Sequence, residues 1–242
     1  MIGDKMRLDK FLSESTELSR KDIKALIRKK AVTVNGETVV KPELKVSELD
    51  LVTVDGKAVS YRKFVYLILN KPSGYVSATE DRTYPAVTEL VPEKYRHYNV
   101  FCAGRLDIDT EGLLILTNDG DLVHDITSPK KNVYKRYYAK LDKPLDESDK
   151  TAFADGMQFK EFTSKPARLE ICEDRTDAYV EIAEGKFHQV KRMFERVGKT
   201  VTYLKRVSIG GLELPTDLPL GDMIEITYDE LTDKIYNERR SS

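Results

Sequence analysis

The sequence predicts an α+β protein built on a mixed, mainly antiparallel sheet and divided into two unequal parts. Strand-like runs outnumber helical ones, without the regular strand–helix alternation of a βαβ chain. The turn dipeptides Asn35-Gly36 and Asp55-Gly56 punctuate short alternating segments near the N-terminus. From Phe64 the apolar runs lengthen, and 242 residues with 40% hydrophobic content suffice for one large domain or two unequal ones.

Taken in order, Leu8, Phe11 and Leu12 have helical spacing. A second helix opens at Ser19, a capping residue type, with Asp22 three positions on in a box-like place. Ile23, Leu26 and Ile27 form its apolar stripe, while Lys21, Lys24 and Arg28 fall on another face. Val32 to Val34 alternates as a strand, Asn35-Gly36 turns it, and Thr38 to Val40 returns. Leu51 to Val54 is a further strand ending at Asp55-Gly56. The mostly polar stretch 57–63 reads as a linker, which sets the two parts at 1–60 and 61–242. Phe64 to Leu69 is a continuous apolar run, as expected of a strand covered on both faces, and Lys71-Pro72-Ser73-Gly74 stops it in a turn. Tyr98 to Ala103 and Leu113 to Thr117 are further strands, the second closed by Asn118-Asp119-Gly120. Tyr137 to Leu141, Ala167 to Ile171, Ala178 to Ile182, Thr200 to Leu204 and Met223 to Ile226 add more. Between Phe187 and Val197 the period turns helical, with Val190, Met193, Phe194 and Val197 on one stripe and Gly198 placed to end it. The polar tail after Asp229 reads as a short frayed helix.

Composition removes several function classes. Acids and bases nearly cancel, leaving a net charge of -1, so the chain is no general polycation. Local charge, however, is what phosphates meet. Two cysteines, Cys102 and Cys172, and three histidines offer neither a disulfide framework nor a Cys/His zinc set. Met1 to Phe11 is charged and lacks a signal-peptide apolar core, and no run of about 18 apolar residues occurs, so a cytoplasmic location is the expectation. No exposed apolar heptad suggests association, and a monomer is expected.

Between Ser19 and Lys30 the bases Arg20, Lys21, Lys24, Arg28, Lys29 and Lys30 face a single acid, Asp22. Such a face is either an ordinary solvated one or a set of phosphate contacts. The arrangement Arg7-Leu8-Asp9-Lys10-Phe11-Leu12, then Leu18-Ser19-Arg20-Lys21, then Val32-x-Val34-Asn35-Gly36 resembles the S4 RNA-binding domain through residues 6–55. That resemblance implies an RNA surface of Arg7, Lys10, Ser19, Arg20, Lys21, Lys24 and Arg28. It implies binding to structured RNA and no particular chemistry, because such modules are portable.

The segment Gly104-Arg105-Leu106-Asp107-Ile108-Asp109-Thr110-Glu111-Gly112 places three acids within five residues at the edge of a strand. It mimics the start of a calcium loop, but the bidentate acid that loop needs at its twelfth position is here Asn118. Asp107 is then either a turn carboxylate bonded to its own backbone or a reactive group at a loop edge. Gly-Arg-Leu-Asp followed by Thr-x-Gly-Leu-Leu resembles the catalytic motif of pseudouridine synthases, in the RsuA branch that modifies ribosomal RNA. Three further matches follow the family's order: Leu69-Asn70-Lys71-Pro72-x-Gly74-Tyr75, Lys135-Arg136-Tyr137, and Glu184-Gly185-Lys186-Phe187-His188-Gln189-Val190-Lys191-Arg192-Met193. With the S4-like module in front, the likeness covers roughly residues 6–230.

The resemblance implies that Asp107 is the nucleophile of a uridine isomerisation, which needs no redox cofactor, metal or energy donor. Lys191 is the implied cation beside it, since a neighbouring positive charge favours an ionised carboxylate. Many relatives carry Arg there; Lys keeps the charge without the bidentate fork, which leaves the geometry of the pair open. Tyr137 is implied to stack on the detached uracil, its alternative being a core strand tyrosine. Arg105 is implied to brace the space left by an extruded base, its alternative being an ion pair with Asp109 or Glu111. Lys71 and Pro72 are taken mainly as shaping the fold, and His188 as an RNA or packing contact.

Two basic stretches, Lys130 to Lys140 and Lys186 to Arg206 (the latter containing Arg192), suggest an RNA track on one face, with the balancing acids elsewhere, as at Asp142 to Asp149. Within the branch, Gly-Arg-Leu-Asp-Ile-Asp-Thr with His-Gln-Val-Lys-Arg-Met most resembles the enzymes acting on 16S ribosomal RNA, the small-subunit RNA. The alternatives are a 23S-directed enzyme of the same chemistry and a non-catalytic RNA-binding assembly factor.

Overall fold

The computed structural model describes residues 5–237. The chain divides into two compact units. One runs to Val65 and takes in Pro92–Asn99; the other holds Tyr66–Val91 and the chain from Val100 onward. The boundary expected at 60/61 thus falls inside the first unit, and residues 92–99, expected in the second domain, group with the first.

In the first unit β1 (Met6–Arg7) leads into α1 (Leu8–Ser15) and α2 (Arg20–Arg28). Ser19 caps α2 as its position suggests, accepting from the backbone N–H of Asp22 at 3.2 Å. Next come β2 (Val32–Val34), β3 (Glu37–Thr38), β4 (Lys45–Val46), β5 (Val52–Val54) and β6 (Lys57–Val59). The order β3-β2-β5-β6 makes a four-stranded antiparallel sheet, and β1 pairs with β4. A short helix, α3 (Glu93–Arg96), completes the unit. Leu8, Phe11, Leu12, Ile23, Ile27, Val32, Val46 and Val52 close its core.

The linker expected over 57–63 is corrected at its first half. Asp55 and Gly56 both have positive φ, 49° and 76°, as a primed hairpin turn requires. The turn folds Lys57–Val59 back onto β5, so main-chain pairing overrides the polar composition.

In the second unit β7 (Tyr66–Lys71), β8 (Phe101–Cys102), β9 (Glu111–Thr117), β10 (Lys135–Leu141), β11 (Arg168–Ile171), β12 (Asp177–Ile182), β13 (Val201–Ile209), β14 (Leu212–Glu213) and β15 (Met223–Glu225) join one sheet. Its order is β11-β12-β10-β13-β9-β7-β15, with β14 on β13 and β8 on β9. The β13–β9 pair is parallel and the other pairs are antiparallel, so the sheet is mixed and mainly antiparallel. Every residue of β7 is buried: Tyr66–Leu69 as the apolar run implies, and also the polar Asn70 and Lys71 that end the strand.

Around the sheet lie α4 (Gly120–Thr127), α5 (Glu147–Asp155), α6 (Gln189–Arg196) and α7 (Tyr228–Tyr236). The sequence reading takes Asn118-Asp119-Gly120 as a turn, whereas Asp119 caps α4 by accepting from the N–H of Leu122 at 3.2 Å. Residues 238–242 of the expected tail helix lie outside the described residues. Where β9 meets β13, Gly112 has φ +102°, and an added Cβ would stand 2.2 Å from the backbone oxygen of Arg206. Only glycine lets the two backbones approach this closely.

Candidate active site

Asp107 sits in the loop between β8 and β9, and the backbone of that loop is held from both sides. From β7, Lys71 donates to the carbonyl oxygens of Asp107 (3.1 Å), Ile108 (3.2 Å), Thr110 (2.9 Å) and Pro72 (3.1 Å). From the other side Ser77 donates to the Leu106 oxygen at 2.9 Å and accepts from its N–H at 3.0 Å. Lys71 is fully buried, and burial pushes its ammonium down to about 8, against the pull of Asp109, Asp107 and Glu111. It ends a strand rather than forming a turn, pairing in register with Gly112. Its part is structural, as its residue type beside a proline suggests. What sequence does not show is that three of its four targets lie 36 to 39 residues away.

This loop lines a cavity of about 580 Å³, within the range that takes small-molecule and nucleotide ligands. Asp107, Tyr137, Lys191 and Arg105 all line it. The ammonium of Lys191 is 3.3 Å from Asp107 Oδ2 and 2.5 Å from Asp109 Oδ1. One lysine therefore serves two carboxylates, which a bidentate fork on Asp107 would not do. Burial alone would raise the Asp109 carboxyl, but its hydrogen bond and charge contact with Lys191 hold it below the usual carboxylate range. His188 Nε2 lies 3.6 Å from Asp107 Oδ1.

Tyr137 is 8% exposed on β10 and stands opposite Arg206 in register on β13. Arg206 is itself buried: its Nε donates to the Leu113 oxygen at 2.8 Å, and its Nη2 has no hydrogen-bond partner among the described residues. Lys135, two residues before Tyr137 on the same strand face, donates to the carbonyls of Ile126 and Val133, and burial followed by the Arg206 charge pushes it down to about 8. Arg105 is exposed at the cavity wall and pairs with no carboxylate among the described residues, since Asp109 is engaged by Lys191 and Glu111 accepts from Tyr203.

Helix α6, which carries Lys191, is fixed at its start by a buried polar pair. Gln189 donates to Glu184 at 3.0 Å and accepts from the N–H of Lys186, while Glu184 also accepts from the N–H of Lys165. Sequence reasoning misses Ser77, Glu184 and Gln189 as supports. A carboxylate and an amide five apart across a glycine turn is the signal that was there to be read.

The expected basic track is corrected. Lys135 and Arg206 are buried, Arg136 pairs with Glu170, Lys140 with Asp177, and Lys199 with Asp149. Arg192 is ion-paired to Glu161 with its guanidinium over the rings of Phe159 and Phe162, and it does not line the cavity. Alternation along strands and helices sends neighbouring bases to different faces, so a basic run is not a basic surface. In the first unit Arg20, Lys21, Lys24 and Arg28 are exposed, whereas Arg7 pairs with Asp9, Lys10 with Glu14, and the Ser19 hydroxyl donates to Asp22.

Among the described residues no helix is long and apolar enough to cross a membrane. The family model for RNA pseudouridylate synthase matches residues 65–196, and that for the S4 domain residues 6–52. A protein of Aquifex aeolicus (strain VF5) named "Uncharacterized RNA pseudouridine synthase" is 43% identical over 93% of this chain and 94% of its own length. The "Ribosomal small subunit pseudouridine synthase A" of Escherichia coli (strain K12) is 40% identical over 93% and 98%. A crystal structure of a pseudouridylate synthase superposes with a TM-score of 0.66 at 36% identity, covering 95% of this chain and 99% of that one.

Proposed function

Because the chain belongs to the RNA pseudouridylate synthase family and carries an S4 domain, we propose that it converts one uridine of 16S ribosomal RNA to pseudouridine, with Asp107 as the nucleophile. The observation that carries the reading is the Asp107 carboxylate facing the cavity 3.3 Å from the Lys191 ammonium, with Tyr137 in the same wall. The target nucleotide turns out of its stack into the cavity, so that its C1′ meets Asp107. The carboxylate acts at C1′ as the N1–C1′ bond breaks, the uracil turns against the Tyr137 ring, and a C5–C1′ bond forms. The C5 proton is then lost and N1 ends protonated, which conserves the atoms of the uridine. No redox or energy donor enters this balance.

Lys191 orients the carboxylate, and Arg105, exposed at the wall, braces the place the base has left. In the first unit the exposed Arg20, Lys21, Lys24 and Arg28, with Arg7, Lys10 and Ser19, meet RNA phosphates; Arg192, paired with Glu161 and off the cavity wall, takes no part in the site. The protein works as a monomer in the cytoplasm, where ribosomal RNA is found.

The test is pseudouridine mapping of 16S and 23S RNA from a strain lacking the gene, by carbodiimide modification and primer extension. One site lost from 16S supports the proposal. A site lost from 23S moves the substrate and keeps the chemistry, and no loss from either removes both. Tritium release from RNA labelled at uracil C5 tests the nucleophile, because turnover retained by Asp107→Asn would sink that assignment.

A further inference from the structure

Phe187 stands at the rim of the cavity with 71% of its surface exposed; the next most exposed Phe or Tyr among the described residues, Tyr84, is at 52%. Isolated exposed apolar side chains are ordinary, and exposure alone would mean nothing here. This ring, however, is held. It lies against the His188 ring with centroids 3.8 Å apart and planes 19° apart. His188 has φ +50°, a left-handed conformation that is uncommon for a residue with a Cβ and that fixes the direction of its ring at the start of α6. With His188 covering one face of Phe187, the exposed surface includes the opposite face. The stack begins one side chain from the reacting carboxylate, since His188 Nε2 is 3.6 Å from Asp107 Oδ1.

Resting on the function proposed above, we infer that the open face of Phe187 receives the base next to the target uridine in the RNA chain. Turning a nucleotide out of its stack leaves a neighbour without a stacking partner, and that loss opposes binding. An aromatic face at the mouth of the pocket replaces the lost partner, and it does so for any base because every base has a π-face. The target itself is not the occupant of this face, because its C1′ must reach Asp107 inside the cavity, whereas Phe187 lies at the rim. Lys186 and Arg105 line the same cavity and suit the phosphates beside it. The platform thus sets how tightly the RNA is held, and the chemistry at C1′ proceeds without it.

Steady-state tritium release on the ribosomal RNA that the wild-type protein modifies separates the roles. Phe187→Ala is expected to raise KM about tenfold with kcat within about twofold, and Phe187→Trp to restore KM, since loss of one stacked base corresponds to about that factor. In an Asp107→Asn background, an RNA fragment with 2-aminopurine beside the target uridine should be quenched on binding, and Phe187→Ala should abolish the quenching. An unchanged KM, or quenching that survives Phe187→Ala, overturns the inference. So does a fall in kcat at constant KM, which would place Phe187 in the chemistry or the fold. Absence of release by the wild-type protein from both 16S and 23S RNA removes the functional reading itself, and this one with it.

Discussion

Lys71→Met removes a buried ammonium that donates to four carbonyl oxygens, three of them in the loop that carries Asp107. Two of these keep another donor: the Asp107 oxygen accepts from the Thr110 N–H at 3.1 Å and the Ile108 oxygen from the Gly74 N–H at 2.8 Å. The oxygens of Pro72 and Thr110 lose the partner described here, which costs about 1–3 kcal/mol each. Against that stands the penalty on the buried charge, whose drop from 10.5 to about 8 corresponds to about 3 kcal/mol. Methionine has similar length and carries no charge, so the penalty is relieved. The balance falls between about 1 kcal/mol of stabilisation and about 3 kcal/mol of destabilisation, at most a modest loss for a fully buried position. Catalysis has no such offset. A loop that loses its clamp displaces Asp107, and a shift of about 1 Å costs about a hundredfold in rate. The expected outcome is a folded protein, checked by urea denaturation, with kcat in the tritium-release assay down about a hundredfold. A variant that keeps kcat within about threefold would refute the positioning role. One that loses more than about 5 kcal/mol of stability would show that the carbonyl contacts outweigh the charge penalty.

Other expectations follow from the same geometry. Lys191→Met leaves Asp107 and Asp109 without their shared cation and should lower kcat by about a hundredfold or more, while Lys191→Arg recovers part of it; equal activity in Lys191→Met would remove Lys191 from the site. Gly112→Ala would drive a Cβ to 2.2 Å from the Arg206 oxygen at φ +102°, so thermal denaturation should show a loss of about 3 kcal/mol or more, and an unchanged Tm would contradict the β9–β13 register. Stability should also rise with alkalinity between pH 8 and 9. Lys71 and Lys135 release protons near 8 when folded and near 10.5 when unfolded. In that window the unfolded chain binds more protons, and each lysine adds up to about 1.4 kcal/mol per pH unit. Above pH 9 the trend is opposed, because burial raises the Cys102 thiol to about 11 and Tyr61 and Tyr203 to about 12, and the folded chain then keeps protons that the unfolded one loses. A urea midpoint that is flat or falling from pH 8 to 9 would refute this.

What the sequence determines by itself is local. Ser19 with Asp22, the Asn35-Gly36 and Asp55-Gly56 turns, and the unbroken apolar run of β7 each encode structure through interactions a few residues long. The same locality makes the segment around Asp107 legible, because Gly104, Arg105, Asp107 and Gly112 lie in one short stretch, 104–112. It fails where tertiary pairing outweighs local preference. Lys57–Val59 opens a stretch that is polar overall yet forms a strand, because the turn before it delivers it to β5. Helix α5 is missed because it buries only Asp149 and Phe153 and shows little apolar periodicity. The basic stretches from 130 and 186 mislead because burial of Lys135 and Arg206 is decided by which sheet face each strand presents. Only the tertiary structure brings Lys71, Asp107 and Lys191 together across more than a hundred residues. Neither spacing nor propensity carries that information. It resides in the parallel β9–β13 pairing and the packing that closes the sheet, where many weak contacts sum to one arrangement.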